Sequence, residues 1–172
     1  MIHPALLFLA VVGTLHASSE GLEGSPPPLP WEAREFLQAH NKARAAVGVQ
    51  PLRWSPELAY LTTELVSFQR DKMGCQFANL TASKYGFIQH FGRGMPITPR
   101  IVVKMWLKYK QFYNYANNTC VPNHMCSVYK QLVWWSSLLL GCAQSMCDLN
   151  AQTSLTICFY DPRGNIAGQR PY

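Results

Sequence analysis

The acidic residues of this chain are distributed so unevenly that they limit the chemistry it can perform. The sequence has nine Asp and Glu against 15 Lys and Arg, a formal net charge of +6. No carboxylate lies between Asp71 and Asp148, a stretch that holds eight Lys or Arg. Paired carboxylates for acid and base catalysis, or a hard-metal site, need Asp or Glu side chains. The middle of the chain is therefore predicted to do no carboxylate chemistry.

The cysteines indicate disulfides rather than a metal site. There are six of them, and all follow the first 70 residues: Cys75, Cys120, Cys126, Cys142, Cys147 and Cys158. None of the spacings is CxxC and no histidine cluster lies beside them, which argues against structural zinc. In a chain that begins with a secretory signal peptide, as predicted below, an even number of cysteines indicates three disulfides. The sequence alone leaves their connectivity open.

The N-terminus has the composition of a secretory signal peptide. An apolar run from Ala5 to Val12 precedes the small residues at 17–19, which predicts a signal peptide over 1–17, cut after Ala17 or Ser19. A buried N-terminal helix is the alternative. Residues 18–30 are predicted to be a Pro-rich linker, and 31–172 the folded domain. The sequons at Asn79 and Asn117 predict glycosylation of an extracellular protein.

Hydrophobic periodicity predicts helices in the first part of the domain and strands in the second. We expect three helices: one over 31–47, one from Pro56 onward and one from Pro99 onward. The second has Leu58, Leu61, Leu65 and Phe68 on one face. Strands are expected over 131–135, 138–146 and 154–160. His90 and His124 lie in segments flanked by Gly or Pro and are expected in loops. This order predicts an α+β domain with an antiparallel sheet covered by helices.

Several short motifs resemble one family. They are Ala39–Arg44, Leu52-Arg-Trp54 with Leu58-Ala59, Tyr113-Asn-Tyr115 with Cys120, Gln131–Trp134, Leu140-Gly-Cys142, and the tail Cys158–Tyr172. The chain resembles the plant pathogenesis-related class 1 proteins of the CAP superfamily, which also contains cysteine-rich secretory proteins and antigen 5. The resemblance implies a three-layer α-β-α sandwich with a central antiparallel sheet. It also implies the disulfides Cys75–Cys147, Cys120–Cys126 and Cys142–Cys158.

The resemblance also identifies a cleft that this chain has lost. Family members commonly have two histidines and two glutamates there, sometimes with a divalent metal. The corresponding positions in this chain are His40, Arg93, Tyr109 and Val128, so only His40 is kept. A lone imidazole beside an arginine cannot hold Zn²⁺ or Ca²⁺. We therefore expect no metal, no cofactor and no enzymatic activity, and a hydrogen bond from His40 within the helix–sheet interface.

Two other segments are functional candidates by resemblance. The aromatic stretch 106–115 lies where the family is thought to bind sterols. By resemblance, five of its residues are candidate lipid contacts: Trp106, Tyr109, Phe112, Tyr113 and Tyr115. The alternative is that the first three are core residues. The tail 162–172 matches a defence peptide released by cleavage between Asp161 and Pro162. Its alternative role is a structural strap that packs on the sheet.

These observations predict a secreted plant defence protein of the apoplast. The expected partners are a sterol or another lipid and, through the basic surface, acidic cell-wall polysaccharide or microbial membranes. We expect a monomer that binds no nucleic acid. The alternatives are a scaffold that acts through protein–protein contacts, and a secreted hydrolase with an unrecognised site.

Overall fold

The computed structural model describes residues 28–94, 97–148 and 152–172, so the predicted signal peptide and most of the predicted linker lie outside the described residues. The described residues form four α-helices: α1 (Trp31–Ala45), α2 (Pro56–Lys72), α3 (Pro99–Leu107) and α4 (Ser127–Leu132). A 3₁₀ helix over Lys108–Phe112 continues α3. The strands are β1 (Arg53–Trp54), β2 (Gly86–Arg93), β3 (Tyr113–Asn114), β4 (Thr119–Cys120), β5 (Leu139–Met146) and β6 (Thr153–Asp161).

The helix starts follow from capping residues that the sequence shows. The Ser55 side chain accepts a hydrogen bond from the Leu58 N–H at 3.2 Å, and Pro56 follows at the first helical position. Thr98 and Pro99 repeat this arrangement at α3. After α1, Gly48 adopts a φ of +72°, which a residue with a Cβ rarely tolerates, so the chain leaves the helix there.

The sheet lies between two helical layers. Its strand order is β1-β5-β6-β2; β5 is antiparallel to β6, β6 is antiparallel to β2, and the short edge strand β1 is parallel to β5. On one face of the sheet α2 packs over Leu155, Ile157 and Phe159. On the other face α1, α3 and α4 pack over a larger core. The predicted α-β-α sandwich is confirmed, with a mixed rather than purely antiparallel sheet.

One glycine permits the close approach of α2 to β5. A Cβ at Gly141 would lie 2.2 Å from the Ala59 backbone nitrogen and 2.5 Å from the Leu58 Cβ. These are backbone and near-backbone atoms that cannot rotate away. The central position of the Leu-Gly-Cys motif therefore requires glycine, because any side chain there would collide with α2.

Three disulfides join the pairs that the resemblance implies: Cys75–Cys147, Cys120–Cys126 and Cys142–Cys158. Cys142 and Cys158 are directly opposite each other on β5 and β6, with Cα atoms 4.0 Å apart. The described residues contain no free cysteine.

The prediction of a strand over 131–135 is wrong. Residues 127–132 form α4, and the carbonyl groups that follow are held by a buried side chain rather than by a neighbouring strand. The Arg44 guanidinium donates to Trp134 O at 2.8 Å and to Ser137 O at 2.9 Å. Because periodicity reports only apolar spacing, it cannot reveal a buried arginine that replaces strand hydrogen bonds.

The loop prediction for His90 is also wrong, whereas that for His124 is confirmed. His90 lies in β2 and pairs with Thr156 of β6. The glycines at 86 and 92, which resemble loop residues, sit against other side chains: a Cβ at Gly86 would meet Gln131 at 2.2 Å. Glycine here serves close packing rather than a turn.

The predicted apolar face of α2 is correct at three of its four positions. Phe68 is 53% exposed, and the buried positions are Leu58, Thr62, Val66 and Gln69. The two polar members are satisfied locally, since the Thr62 hydroxyl is 3.0 Å from Leu58 O and the Gln69 amide donates to Gln76 O at 2.7 Å. Of the predicted face, Leu58 is buried and Leu61 and Leu65 are partly buried against this core, so only Phe68 is misplaced. Because polar side chains whose hydrogen bonds are satisfied locally can be buried, the spacing of apolar residues does not reveal Thr62 and Gln69.

Candidate functional site

His40 lies in the core between α1 and the sheet and has no exposed surface. Its Nδ1 is 2.7 Å from Phe36 O, and its Nε2 is 2.7 Å from the Tyr160 hydroxyl. Because a carbonyl only accepts, Nδ1–H must donate to it, and the Tyr160 hydroxyl donates to Nε2. Burial lowers the pKa of His40 from 6.5 to about 4, although the bond to Phe36 opposes the shift. The ring is neutral and both nitrogens are engaged, as expected for a histidine of the helix–sheet interface.

The three further positions that the resemblance aligns with the family's cleft each lie on a different element from His40. Arg93 is exposed at the end of β2, with its guanidinium 5.3 Å from the Phe91 ring. Tyr109 lies on the 3₁₀ helix, and Val128 on α4 is partly buried against the core. Within the described part of the chain, no hydrogen bond, ion pair or ring contact joins any two of these four, and no three His, Cys, Asp or Glu side chains form a group that could hold a metal.

The aromatic stretch divides between the core and the surface. Trp106 is 1% exposed and belongs to the core, as the alternative interpretation expected. Phe112 stacks on His124 with ring centroids 4.2 Å apart. Tyr113 and Tyr115 lie in the β3–β4 hairpin, where Tyr115 is 47% exposed. The five aromatic residues therefore differ in burial and lie on three elements: α3, the 3₁₀ helix and the hairpin.

A cavity of about 820 Å³ lies between α1 and α3. None of the five predicted lipid contacts lines it. Most of the lining comes from the two helices: Gln38, Ala39, Lys42, Ala43, Ala46, Val47, Arg100, Ile101, Val103, Lys104, Leu107, Lys110 and Tyr129. Ala39 and Ala43 on α1 and Ala46, which follows its last residue, recur at helical spacing, and their small side chains leave the space open. The alanine spacing and the lysines on α1 and α3 are present in the sequence, but they indicate a cavity only once the two helices are placed side by side.

The cavity is electropositive. Its lining has four cationic side chains and no Asp or Glu. One of the four is neutralised, because the Arg100 guanidinium makes a two-pronged ion pair with Glu35 at 2.7 and 2.8 Å. Lys42, Lys104 and Lys110 have no ion-pair partner among residues 28–94, 97–148 and 152–172. Apolar walls with unpaired ammonium groups suit a ligand that is both apolar and anionic.

The C-terminal segment 162–172 is strapped to the body of the domain. Pro162 and Arg163 are exposed, whereas Gly164 and Pro171 are buried. Its hydrogen bonds to the body include Gly164 N–H to Gln131 Oε1 (2.9 Å), Asn165 Nδ2 to Ser127 O (3.0 Å), Asn118 Nδ2 to Gln169 O (3.0 Å), Trp135 N–H to Pro171 O (2.8 Å), and Arg170 to Tyr115 O and Ala116 O. The predicted cleavage bond thus joins the half-buried last residue of β6, whose carbonyl accepts a hydrogen bond from the Leu138 N–H at 2.9 Å, to the exposed Pro162.

Both glycosylation sequons present an exposed asparagine. The Thr81 hydroxyl donates to Asn79 Oδ1 at 2.9 Å, and the Thr119 hydroxyl donates to Asn117 Oδ1 at 2.7 Å. Each asparagine is therefore sterically open to a modifying enzyme.

Across the described residues, no helix has the length and apolar character needed to cross a membrane.

Comparison with known proteins identifies the family. Residues 37–160 match the CAP family, the cysteine-rich secretory protein family. STS14 protein of Solanum tuberosum is 53% identical over 140 residues, which are 81% of this chain and 65% of that protein's length. Pathogenesis-related protein 1 of Arabidopsis thaliana is 36% identical over 167 residues, 97% of this chain and 94% of the relative.

A solved structure has the same fold. Schistosoma mansoni venom allergen-like protein 4 superposes with a TM-score of 0.64 at 25% identity, covering 84% of this chain and 95% of its own. The family match, the plant relatives, the α-β-α sandwich and the three disulfides agree, and the chain belongs to the CAP family as a protein similar to the plant pathogenesis-related class 1 proteins.

Proposed function

We propose that this chain is a secreted, non-enzymatic plant defence protein that binds lipids with an anionic head group between α1 and α3. The observation that carries the proposal is the apolar cavity of about 820 Å³, whose lining includes three lysines without an ion-pair partner among the described residues. Its volume falls within the range of about 300–1,000 Å³ that is usual for small-molecule sites.

The two parts of the cavity suit the two parts of such a ligand. An acyl chain would lie against Ala43, Val47 and Ile101, and each methylene removed from water is worth about 0.8 kcal/mol. A carboxylate or phosphate would accept charge-assisted hydrogen bonds from Lys42 and Lys104. A sterol has no such charge and would leave both ammonium groups unpaired. Fatty carboxylates are therefore favoured over sterols, and the aromatic hairpin is the less favoured lipid site.

The absence of enzymatic activity is supported by His40. A general base needs a free nitrogen near a reacting group, and both nitrogens of this buried ring are already hydrogen-bonded. The cavity lining offers no carboxylate that could replace it.

Secretion to the apoplast and a defence role are supported by the family and the covalent structure. The three disulfides suit an oxidising compartment, and several of the plant relatives carry the name pathogenesis-related protein. The positive net charge would favour contact with acidic cell-wall polysaccharide or anionic microbial membranes.

The proposal is tested by calorimetric titration of the mature protein with palmitate and, separately, with stigmasterol. The double variant Lys42→Gln, Lys104→Gln should bind palmitate about tenfold more weakly, because each lost charge contact is worth roughly 0.5–1 kcal/mol. The matched control is Arg34→Gln, Lys72→Gln, which removes the same charge from exposed helix positions outside the cavity lining. Equal weakening in both double variants would indicate a general charge effect and contradict the site. Wild-type protein that binds neither lipid would contradict lipid binding itself and favour a protein-contact scaffold.

We propose as a second function that 162–172 is a precursor of a C-terminal defence peptide, cut between Asp161 and Pro162. The exposure of Pro162 and Arg163 supports access of a protease to this end of the segment. The many hydrogen bonds of the segment imply that cutting alone does not free it. After cleavage in vitro, the peptide should remain with the body in size-exclusion chromatography and separate on addition of denaturant. Immediate loss of the peptide in native buffer would contradict the strapped precursor.

A further inference from the structure

A stacked pair of tyrosines joins the C-terminal residue to the β3–β4 hairpin. The ring centroids of Tyr115 and Tyr172 are 4.9 Å apart, and their planes differ by only 9°. Neighbouring contacts are steeply tilted, since Tyr113 meets Tyr115 at 83° and Tyr172 at 75°. Near-parallel rings at this separation bring carbon atoms of the two phenols close together.

The pair is held in place by the residues around it. The Tyr172 hydroxyl is 3.1 Å from the hydroxyl of the buried Tyr129, which fixes the hydroxyl end of the Tyr172 ring. The preceding Pro171 is buried and accepts a hydrogen bond from the Trp135 N–H at 2.8 Å. Arg170 donates to the backbone carbonyl of Tyr115 and lies 5.1 Å from its ring. The two rings are therefore preorganised by contacts on both chain segments.

The pair is also accessible to an oxidant. Tyr115 is 47% exposed, and Tyr172 is partly exposed. A chain with three disulfides belongs in an oxidising compartment, where phenol oxidation is not reversed by a thiol pool.

We propose that Tyr115 and Tyr172 form an intramolecular dityrosine cross-link when the protein meets a haem peroxidase and hydrogen peroxide. Each phenol loses one electron and its hydroxyl proton, which gives two phenoxyl radicals. The radicals couple through ring carbons ortho to the oxygens, and each of these carbons then passes its proton to the ring oxygen. The peroxide takes up two electrons and two protons and becomes two water molecules. The protein loses two hydrogen atoms and gains one carbon–carbon bond.

The cross-link would change the fate of the C-terminal segment. It joins the last residue of the chain to the β3–β4 hairpin, so a cut between Asp161 and Pro162 would no longer allow release of residues 162–172. This consequence rests on the proposed precursor role, whereas the cross-link itself does not.

The test treats the deglycosylated mature protein at micromolar concentration with a haem peroxidase and limiting hydrogen peroxide. We expect dityrosine fluorescence in the monomer fraction. After reduction, alkylation and trypsin digestion, residues 111–130 should be joined to residues 164–172, with a mass two hydrogen atoms below their sum. Fragmentation should locate the bond at Tyr115.

Single variants make the test specific. Tyr115→Phe and Tyr172→Phe should each abolish the joined peptide, while Tyr60→Phe, which alters a 63% exposed ring on α2, should leave its yield unchanged. Circular dichroism confirms that the variants fold. Three results would overturn the proposal: no joined peptide in wild-type protein, a joined peptide that persists in Tyr172→Phe, or dityrosine found only in covalent dimers.

Discussion

The buried His40 should make the folded state less stable as the solution becomes acidic. Its pKa is lowered from 6.5 to about 4 by burial, so between these values the unfolded chain binds a proton that the folded chain excludes. The free energy of unfolding therefore rises with pH across this window and falls on acidification. A difference of 2.5 pKa units corresponds to about 3 kcal/mol in total, of which about 2.5 kcal/mol should be lost between pH 7.5 and 4.5.

The assay is urea unfolding of wild-type protein and of His40→Gln across that pH range. His90, whose pKa is also lowered by burial, is present in both proteins, as are all the carboxylates. The difference between the two plots of unfolding free energy against pH therefore isolates the contribution of His40. We expect His40→Gln to be the less stable protein at pH 7.5, because the substitution disturbs the hydrogen bonds to Phe36 and Tyr160. The difference in free energy of unfolding between the two proteins should narrow by about 2.5 kcal/mol at pH 4.5. A gap that stays constant with pH would refute the assignment of a neutral, core-bound imidazole.

Three further predictions concern stability. Gly141→Ala should lower the free energy of unfolding by about 1–3 kcal/mol, since its Cβ would overlap the α2 backbone; an unchanged urea midpoint would show that α2 can move away. Arg44→Met should lower the free energy of unfolding by about 3 kcal/mol or more in the same assay, because several backbone carbonyls lose their hydrogen-bond donor. A smaller loss than that caused by the exposed control Arg34→Met would contradict this role. Replacing Cys75 and Cys147 by serine should lower the thermal midpoint more than replacing Cys120 and Cys126, because loops of 72 and six residues differ by about 2 kcal/mol in closure entropy; the reverse order in calorimetry would contradict the loop argument.

The sequence predicts the elements whose signals are local. Ser55-Pro56 and Thr98-Pro99 place the starts of α2 and α3, and apolar runs place β5 and β6 within a residue of their observed limits. The strand β2 escapes prediction because its glycines serve contacts with residues distant in sequence. The helix α4 escapes because its flanking carbonyls are satisfied by Arg44, a pairing that no local pattern encodes.

The candidate site is less predictable than the fold. The aromatic stretch has the strongest composition signal, yet Trp106 belongs to the core and the remaining rings lie on the 3₁₀ helix and in the hairpin. The cavity instead depends on how α1 lies beside α3, so the alanines and lysines that line it carry no signal until both helices are placed. The resemblance implies from sequence that three of the family's cleft residues are replaced, whereas the burial of His40 is visible only in three dimensions.

The central claim is that an anionic lipid occupies the cavity between α1 and α3. Photoaffinity labelling with a fatty acid that carries a diazirine in its acyl chain tests this directly, since the inserted carbene marks the residues around the chain. We predict labelled peptides from residues 31–47 and 99–107, and loss of that label in the presence of excess palmitate. Label confined to the hairpin at 113–120, or label that palmitate does not displace, would contradict the account.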